Sequence, residues 1–154
     1  MTTKEKNKLD QVKELALTLM RKHDLPADGW QFNYNHAKRI IGLCHHTEKK
    51  IELSKWYALG LSKKEIKDTI LHEIAHALCP PSQEKKGNGR RVEPPHGEQW
   101  KAMCRKIGAT PQARKKIEND EWLAIQKKVT HIYQRDKKPL EYNYPEFQRY
   151  RMPR

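Results

Sequence analysis

One stretch constrains this chain more than any other: Leu71-His72-Glu73-Ile74-Ala75-His76-Ala77-Leu78. It sets two histidines four residues apart, with a glutamate directly after the first. Four residues along a helix return nearly to the same face, so the imidazoles of His72 and His76 can meet at one metal ion. Glu73 then stands beside that ion and not on it. A zinc hydrolase needs this arrangement: neutral nitrogen ligands at about 2.0–2.1 Å, and a carboxylate that takes a proton from water.

The surrounding letters put the stretch on a helix. Ser62 and Glu65 have the spacing of a capping box, which marks a helix start. Ile66, Ile70, Leu71, Ile74, Ala75 and Leu78 supply an apolar face, while Lys63, Lys64, Lys67 and Asp68 face water. Pro80 and Pro81 end it. The histidines therefore fall in the last turns of a mostly buried helix of about four turns. The plainer alternative is a pair of core histidines satisfied by hydrogen bonds. Against it, two imidazoles and a carboxyl on such a helix are destabilising unless something compensates them.

A third ligand is sought downstream. Residues 80–95 form a long polar loop, and loops of that length inside a small domain are usually functional. The loop leads to His96, at the start of a helix with Trp100, Met103, Cys104 and Ile107 as its apolar stripe and Gly108 as its stop. A helix N-terminus disfavours imidazolium and so favours the neutral ring that a metal requires. His96 is the third ligand on this reading. Glu98 is its rival, and Glu93 a more distant one.

The rest of the chain reads as α+β. Residues 4–22 form an amphipathic helix with Leu9, Val12, Leu15, Ala16, Leu19 and Met20 on one face. Two or three short strands follow, with candidates around residues 30–34, 39–46 and 50–54, and a small antiparallel sheet is expected from them. Ser54 is placed to cap a short helix that Gly60 ends. Thr110 and Pro111 have the look of another helix start. Beyond them Trp122, Leu123, Ile125, Val129 and Ile132 offer core residues, but helix and strand patterns conflict there. His23, His36, His45, His46 and His131 are read as surface or structural. His45 and His46 are adjacent and would point to opposite faces of a strand.

Composition narrows the setting. The chain has 154 residues, enough for one domain with a single core. No apolar run approaches the ~20 residues of a membrane span. The N-terminus shows no apolar signal region, so a cytoplasmic location is expected. Cys44, Cys79 and Cys104 are odd in number and lack close pairing, as in a chain with reduced thiols. Cys79 is a minor candidate for an added metal ligand. The net charge is +13, and residues 101–154 hold 14 Lys and Arg against 6 Asp and Glu, a net of +8. A basic half attached to a more balanced half suits a polyanionic partner. In the last stretch Tyr142, Tyr144, Phe147 and Tyr150 interleave with Arg149, Arg151 and Arg154, a composition that suits single-stranded nucleic acid.

These residues resemble a known family. Trp30, Arg39, Gly42, the run from Ile51 to Ser54, His72-Glu73-x-x-His76 and His96-Gly97-x-x-Trp100 occur in the order seen in SprT-like zinc metalloproteases, the Spartan family. The resemblance spans roughly residues 10–110. It implies a zincin-like fold, one Zn2+ per chain held by His72, His76 and His96, and Glu73 as general base. It also implies work on proteins bound or crosslinked to DNA. The expected organisation is a metalloprotease core over residues 1–110 and a basic, aromatic-rich extension over residues 111–154 packed on it. Many members carry a C-terminal zinc ribbon with paired cysteines; residues 109–154 contain no cysteine, so no structural zinc is expected there. The expected partners are a protein substrate and DNA, single-stranded in preference, with no membrane and a monomer by default. The competing expectation is a nucleic-acid-binding protein whose metal site is weakly active or inactive.

The charge distribution generates a direct test. Titration of labelled single-stranded DNA should show binding with little sequence preference and a steep loss of affinity with added salt. Truncation from Tyr142 onward should weaken binding and flatten the salt slope while metal content stays the same. Equal affinities for truncated and full-length protein would leave the basic charge as a solubility feature.

Overall fold

The computed structural model describes residues 2–37, 40–91, 93–113 and 119–136. Arg39, the side chain of Trp122 and the aromatic tail from Tyr142 lie outside the described residues. The described chain is α+β, with five helices and a three-stranded sheet: α1 (Thr3–Lys22), β1 (Gln31–Asn35), β2 (Gly42–His45), β3 (Lys50–Ser54), α2 (Lys55–Gly60), α3 (Lys63–Leu78), α4 (Glu98–Ile107) and α5 (Asn119–Asp136).

Helix α1 starts on a reciprocal cap. Thr2 Oγ1 accepts from Glu5 N at 3.2 Å, and Glu5 Oε1 accepts from Thr2 N at 3.0 Å. Val12, Ala16, Leu19 and Met20 are its buried face, as the helical spacing predicts. The same Glu5 carboxylate pairs with Arg135 of α5 at 2.8 Å, and that guanidinium holds it down at about pKa 2. Lys8 reaches from α1 to the end of α2 and donates to the Leu59 and Leu61 carbonyls at 3.0 and 2.7 Å. Those carbonyls have no partner within a helix that stops there.

The sheet corrects one expectation: it is mixed, not antiparallel. The strand order is β1-β3-β2, with β3 parallel to β1 and antiparallel to β2. A tight turn joins β2 to β3, which forces them antiparallel. β1 instead runs the same way as β3, and the chain crosses from β1 to β2 at the end of β3, where Ala37 and Ile41 both meet Ser54. Ser54 holds that crossing. Its N–H donates to Ile41 O at 2.7 Å, and its hydroxyl donates to Ala37 O at 2.7 Å. Ser54 is the N-cap residue of α2 by position, but its side chain makes no capping bond because it is committed to the crossing.

Helix α3 packs against α1, α4, β2 and β3, which makes it the central element of the core. Ile66, Ile70 and Ile74 on its buried face are at most 1% exposed. Phe32, Ile51 and Leu53 close the core from the sheet, and Trp56 to Gly60 from α2. On α5 the buried residues include Val129, Ile132 and Tyr133, whereas Leu123, expected in the core, is 55% exposed. The helix that Thr110 and Pro111 suggest does not begin there. Residues 110–113 are irregular, and Thr110 N donates to Asp68 Oδ1 of α3 at 2.9 Å.

Gly60 lies against α5. A Cβ there would overlap Cγ2 of Val129, a side chain that is fully buried and stiff at χ1. Gly60→Ala should therefore lose about 1–3 kcal/mol of stability to overpacking, despite the better helix propensity of alanine. Urea unfolding measures it. Adding Val129→Ala should recover part of the loss, and an unchanged or raised stability of Gly60→Ala alone would contradict the packing.

Candidate metal centre

Helix α3 is 16 residues long and starts on Ser62, whose hydroxyl accepts from Glu65 N at 3.3 Å. It ends at Leu78, two residues before the proline pair. His72 and His76 stand one turn apart near its end, their ring centroids 5.0 Å apart. His96 comes up from the loop before α4. Its ring centroid is 4.7 Å from that of His76 and 5.4 Å from that of His72. The Nε2 atoms of His76 and His96 are 3.0 Å apart. The three histidines each offer a nitrogen within 4.8 Å of the others, so they are positioned to bind one metal ion, compatible with zinc.

The rivals of His96 have other places. Glu98 is 82% exposed in its side chain and faces Lys101, with Nζ and Oε1 3.6 Å apart. Glu93 Oε1 accepts from Gln99 N at 3.1 Å. Neither carboxylate, nor Cys79, belongs to the three-histidine group. His96 itself sits one residue before the N-cap Gly97 and not inside the helix.

Trp100 forms the floor. It is 1% exposed, and its ring centroid is 4.7 Å from His72, 5.1 Å from His76 and 4.7 Å from His96. It stacks on His76 with an interplanar angle of 21°. One side chain of α4 thus backs all three imidazoles. The periodicity of α4 marks Trp100 only as a core residue, and its contact with the site comes from how α4 packs on α3.

His46 is a support that sequence reasoning left undistinguished among the structural histidines. Its Nε2 donates to the His76 carbonyl oxygen at 2.7 Å, which anchors the last turn of α3 to the β2–β3 turn. Trp30 lies edge-on to the His46 ring at 6.0 Å. No spacing rule announces this contact. By contrast His45 pairs with Glu52 at 2.7 Å, away from the three-histidine group.

Glu73 is 7% exposed, and its Oε1 is 3.9 Å from His72 Nε2. Strand β2 passes directly against it. A Cβ on Gly42 would stand 3.1 Å from both Cγ and Oε1 of Glu73 and 3.0 Å from Thr69 Cγ2. Glycine at position 42 is what lets the strand backbone approach the carboxyl.

Burial sets the electrostatics. Loss of water raises the Glu73 pKa to about 8. It lowers that of His76 to about 3, with the neighbouring His72, His96 and His46 adding to the shift. Burial also lowers that of His96. His76 and His96 are thereby kept in the neutral form that a metal requires. Cys44 is pushed up to about 12 by burial and by the Glu73 charge, so it stays a thiol.

The sequence model of the SprT-like family matches residues 10–133. The chain belongs to the SprT-like family. Comparison with curated proteins and with solved structures gives no match. Membership in the SprT-like family suggests a metallopeptidase type of function, and the three-histidine group lies within the matched span. Among the described residues, no helix is long and apolar enough to cross a membrane.

The shifted carboxyl gives a pH test on the metal-free protein. The folded pKa of Glu73 lies above its unfolded value of 4.5. Its contribution is therefore fully present below about 4.5 and is lost as pH rises through about 8. His76 acts in the opposite sense, lowering stability as pH falls from 6.5 toward 3. In chelator, Glu73→Gln should remove the decline on the alkaline side and exceed the parent at pH 8 by a few kcal/mol, on the order expected for a shift of this size. Urea unfolding across pH measures it, and parallel pH profiles would contradict the burial of the carboxyl.

Proposed function

We propose that this chain is a zinc-dependent metalloprotease of zincin-like architecture, with His72, His76 and His96 as ligands and Glu73 as general base. The observation that carries the reading is the Glu73 carboxyl held 3.9 Å from His72 Nε2, beside three converging imidazoles. The donor set suits the ion. Two nitrogens on a tetrahedral zinc stand about 3.3 Å apart, given ligand distances near 2.0–2.1 Å, and His76 and His96 present theirs at 3.0 Å. Three protein ligands leave a coordination position for catalysis, whereas structural zinc sites are usually closed by four.

When bound, zinc supplies Lewis acidity toward a carbonyl and makes water a nucleophile near neutral pH. The protein supplies the rest. Glu73 takes the proton of the attacking water on a carboxylate oxygen and returns it to the leaving amine. Its buried setting makes it a stronger base than an exposed carboxylate, which suits both transfers. Trp100 keeps water from the back of the imidazoles.

The neighbourhood of β2 supports a peptide as substrate. β2 is an outer strand, and among the described residues no strand pairs with its free side. An extended peptide adding there would find backbone partners and lie next to Glu73, because Gly42 brings the strand against that carboxyl. The DNA-linked part of the proposal rests on the net charge of +13 and on what the family resemblance implies: the substrates are proteins bound or crosslinked to DNA.

Glu73→Gln is the deciding experiment. It keeps size and removes the base, so peptidase activity should fall about 10²–10⁴-fold while bound zinc is retained. A variant that cleaves as fast as the parent would remove Glu73 from the chemistry.

A further inference from the structure

Two of the three candidate ligands belong to one helix, and their spacing is fixed by the hydrogen bonds of α3. His96 is different. It precedes the N-cap, so no bond within α4 fixes it. Two closures bracket it instead. Gly97 N donates to Pro94 O at 2.9 Å, which makes residues 94–97 a tight turn with Pro95 and His96 at its centre. Outside that turn, Glu93 Oε1 accepts from Gln99 N at 3.1 Å, a contact spanning six residues.

Gln99 is the second residue of α4, and its N–H is one of those a helix leaves without an internal partner. The residue at the cap position is glycine, which has no side chain to supply an acceptor. Glu93 supplies it from upstream and sets a negative charge at the positive end of the helix. Packing points the same way. A Cβ on Gly97 would overlap Glu93 Oε1 and stand 2.7 Å from Glu93 Cδ and 3.0 Å from Pro94 O. The φ of Gly97 is −76°, which any residue adopts. Glycine is there for space: the carboxylate fills the volume a side chain would take.

We propose that Glu93, capping α4 across Gly97, is the positioning residue that sets His96 at the metal centre. The proposal rests on the reading of the three histidines as a metal site. With the carboxylate in place, the loop is closed on both sides of His96 and the ring is held near His76 before any metal arrives. Without it, Gln99 N loses its acceptor, and the segment carrying His96 must be ordered at the moment of binding. Removing an outer support of a metal ligand typically weakens metal binding by about 10–100-fold.

The test uses full-length protein stripped of metal. Zinc affinity is measured by competition with a chelator, and the visible spectrum of the cobalt(II)-loaded protein reports ligand geometry. Glu93→Ala should bind zinc at least about tenfold more weakly and show a changed cobalt spectrum. Glu93→Gln keeps an acceptor oxygen and should stay within about threefold of the parent. Gly97→Ala should displace the carboxylate and reproduce the loss. In the double variant the overlap with the carboxylate is gone and only the approach to Pro94 O at 3.0 Å remains, so its affinity should fall well short of summing the two losses. Parent-like affinity and spectrum for Glu93→Ala would overturn the proposal, as would additive losses. If Glu93→Ala does not fold, parent-like zinc affinity in Gly97→Ala overturns it equally. A parent that takes up no zinc would sink the metal reading itself, and the proposal with it. Normal uptake by the parent with an indifferent Glu93→Ala would remove Glu93 alone.

Discussion

A carboxyl group buried in a small protein must be compensated for the water it loses, and Glu73 sets that condition on everything around it. It is 7% exposed on the helix at the centre of the core. One turn of the same helix carries two imidazoles, and burial, with the neighbouring histidines adding to it, lowers the proton affinity of His76. None of these groups gains from burial by itself. Without a metal, burial keeps the carboxyl protonated at neutral pH and holds His76 and His96 neutral. A divalent cation bound there would reverse the preference of the carboxyl, because a nearby positive charge favours its ionised form.

Such a set is useful only if it does not relax, and the fold clamps it from several sides. Ser62 holds the start of α3, and His46 holds the carbonyl of His76 near its end. Trp100 supports the three imidazoles from beneath. Gly42 admits β2 to the face of Glu73. More distant contacts keep those clamps in register: Ser54 secures the crossing between β1 and β2, and Lys8 secures the end of α2. Each is a polar group satisfying a backbone group that regular structure leaves unpaired.

Much of this was legible in the letters, for physical reasons that differ by element. The spacing of Val12, Ala16, Leu19 and Met20, and that of Ile66, Ile70 and Ile74, encodes a helical face directly, so α1 and α3 could be read with their buried sides. The convergence of His72 and His76 follows from the same geometry. Strand direction does not, because alternation tells which face a residue takes and not which neighbour it pairs with, and the mixed sheet went unseen. The job of Glu93 was also hidden. A side chain that caps a helix across six residues leaves no periodic trace, so it stood as a rival ligand. Ser54 misled in a related way, since a hydroxyl at a cap position can be claimed by another carbonyl. On α5 the buried residues Val129, Ile132 and Tyr133 face α2, while Leu123 turns to solvent, so apolarity alone misjudged the face.

In the proposed function, three imidazoles hold one zinc and leave a position open beside Glu73. X-ray absorption at the zinc edge of the purified protein tests it most directly. The expected result is one zinc per chain, surrounded by three imidazole nitrogens and one further light donor at about 2.0–2.1 Å, with no sulfur shell. A sulfur neighbour at about 2.3 Å, or a shell closed by four protein ligands, would contradict it.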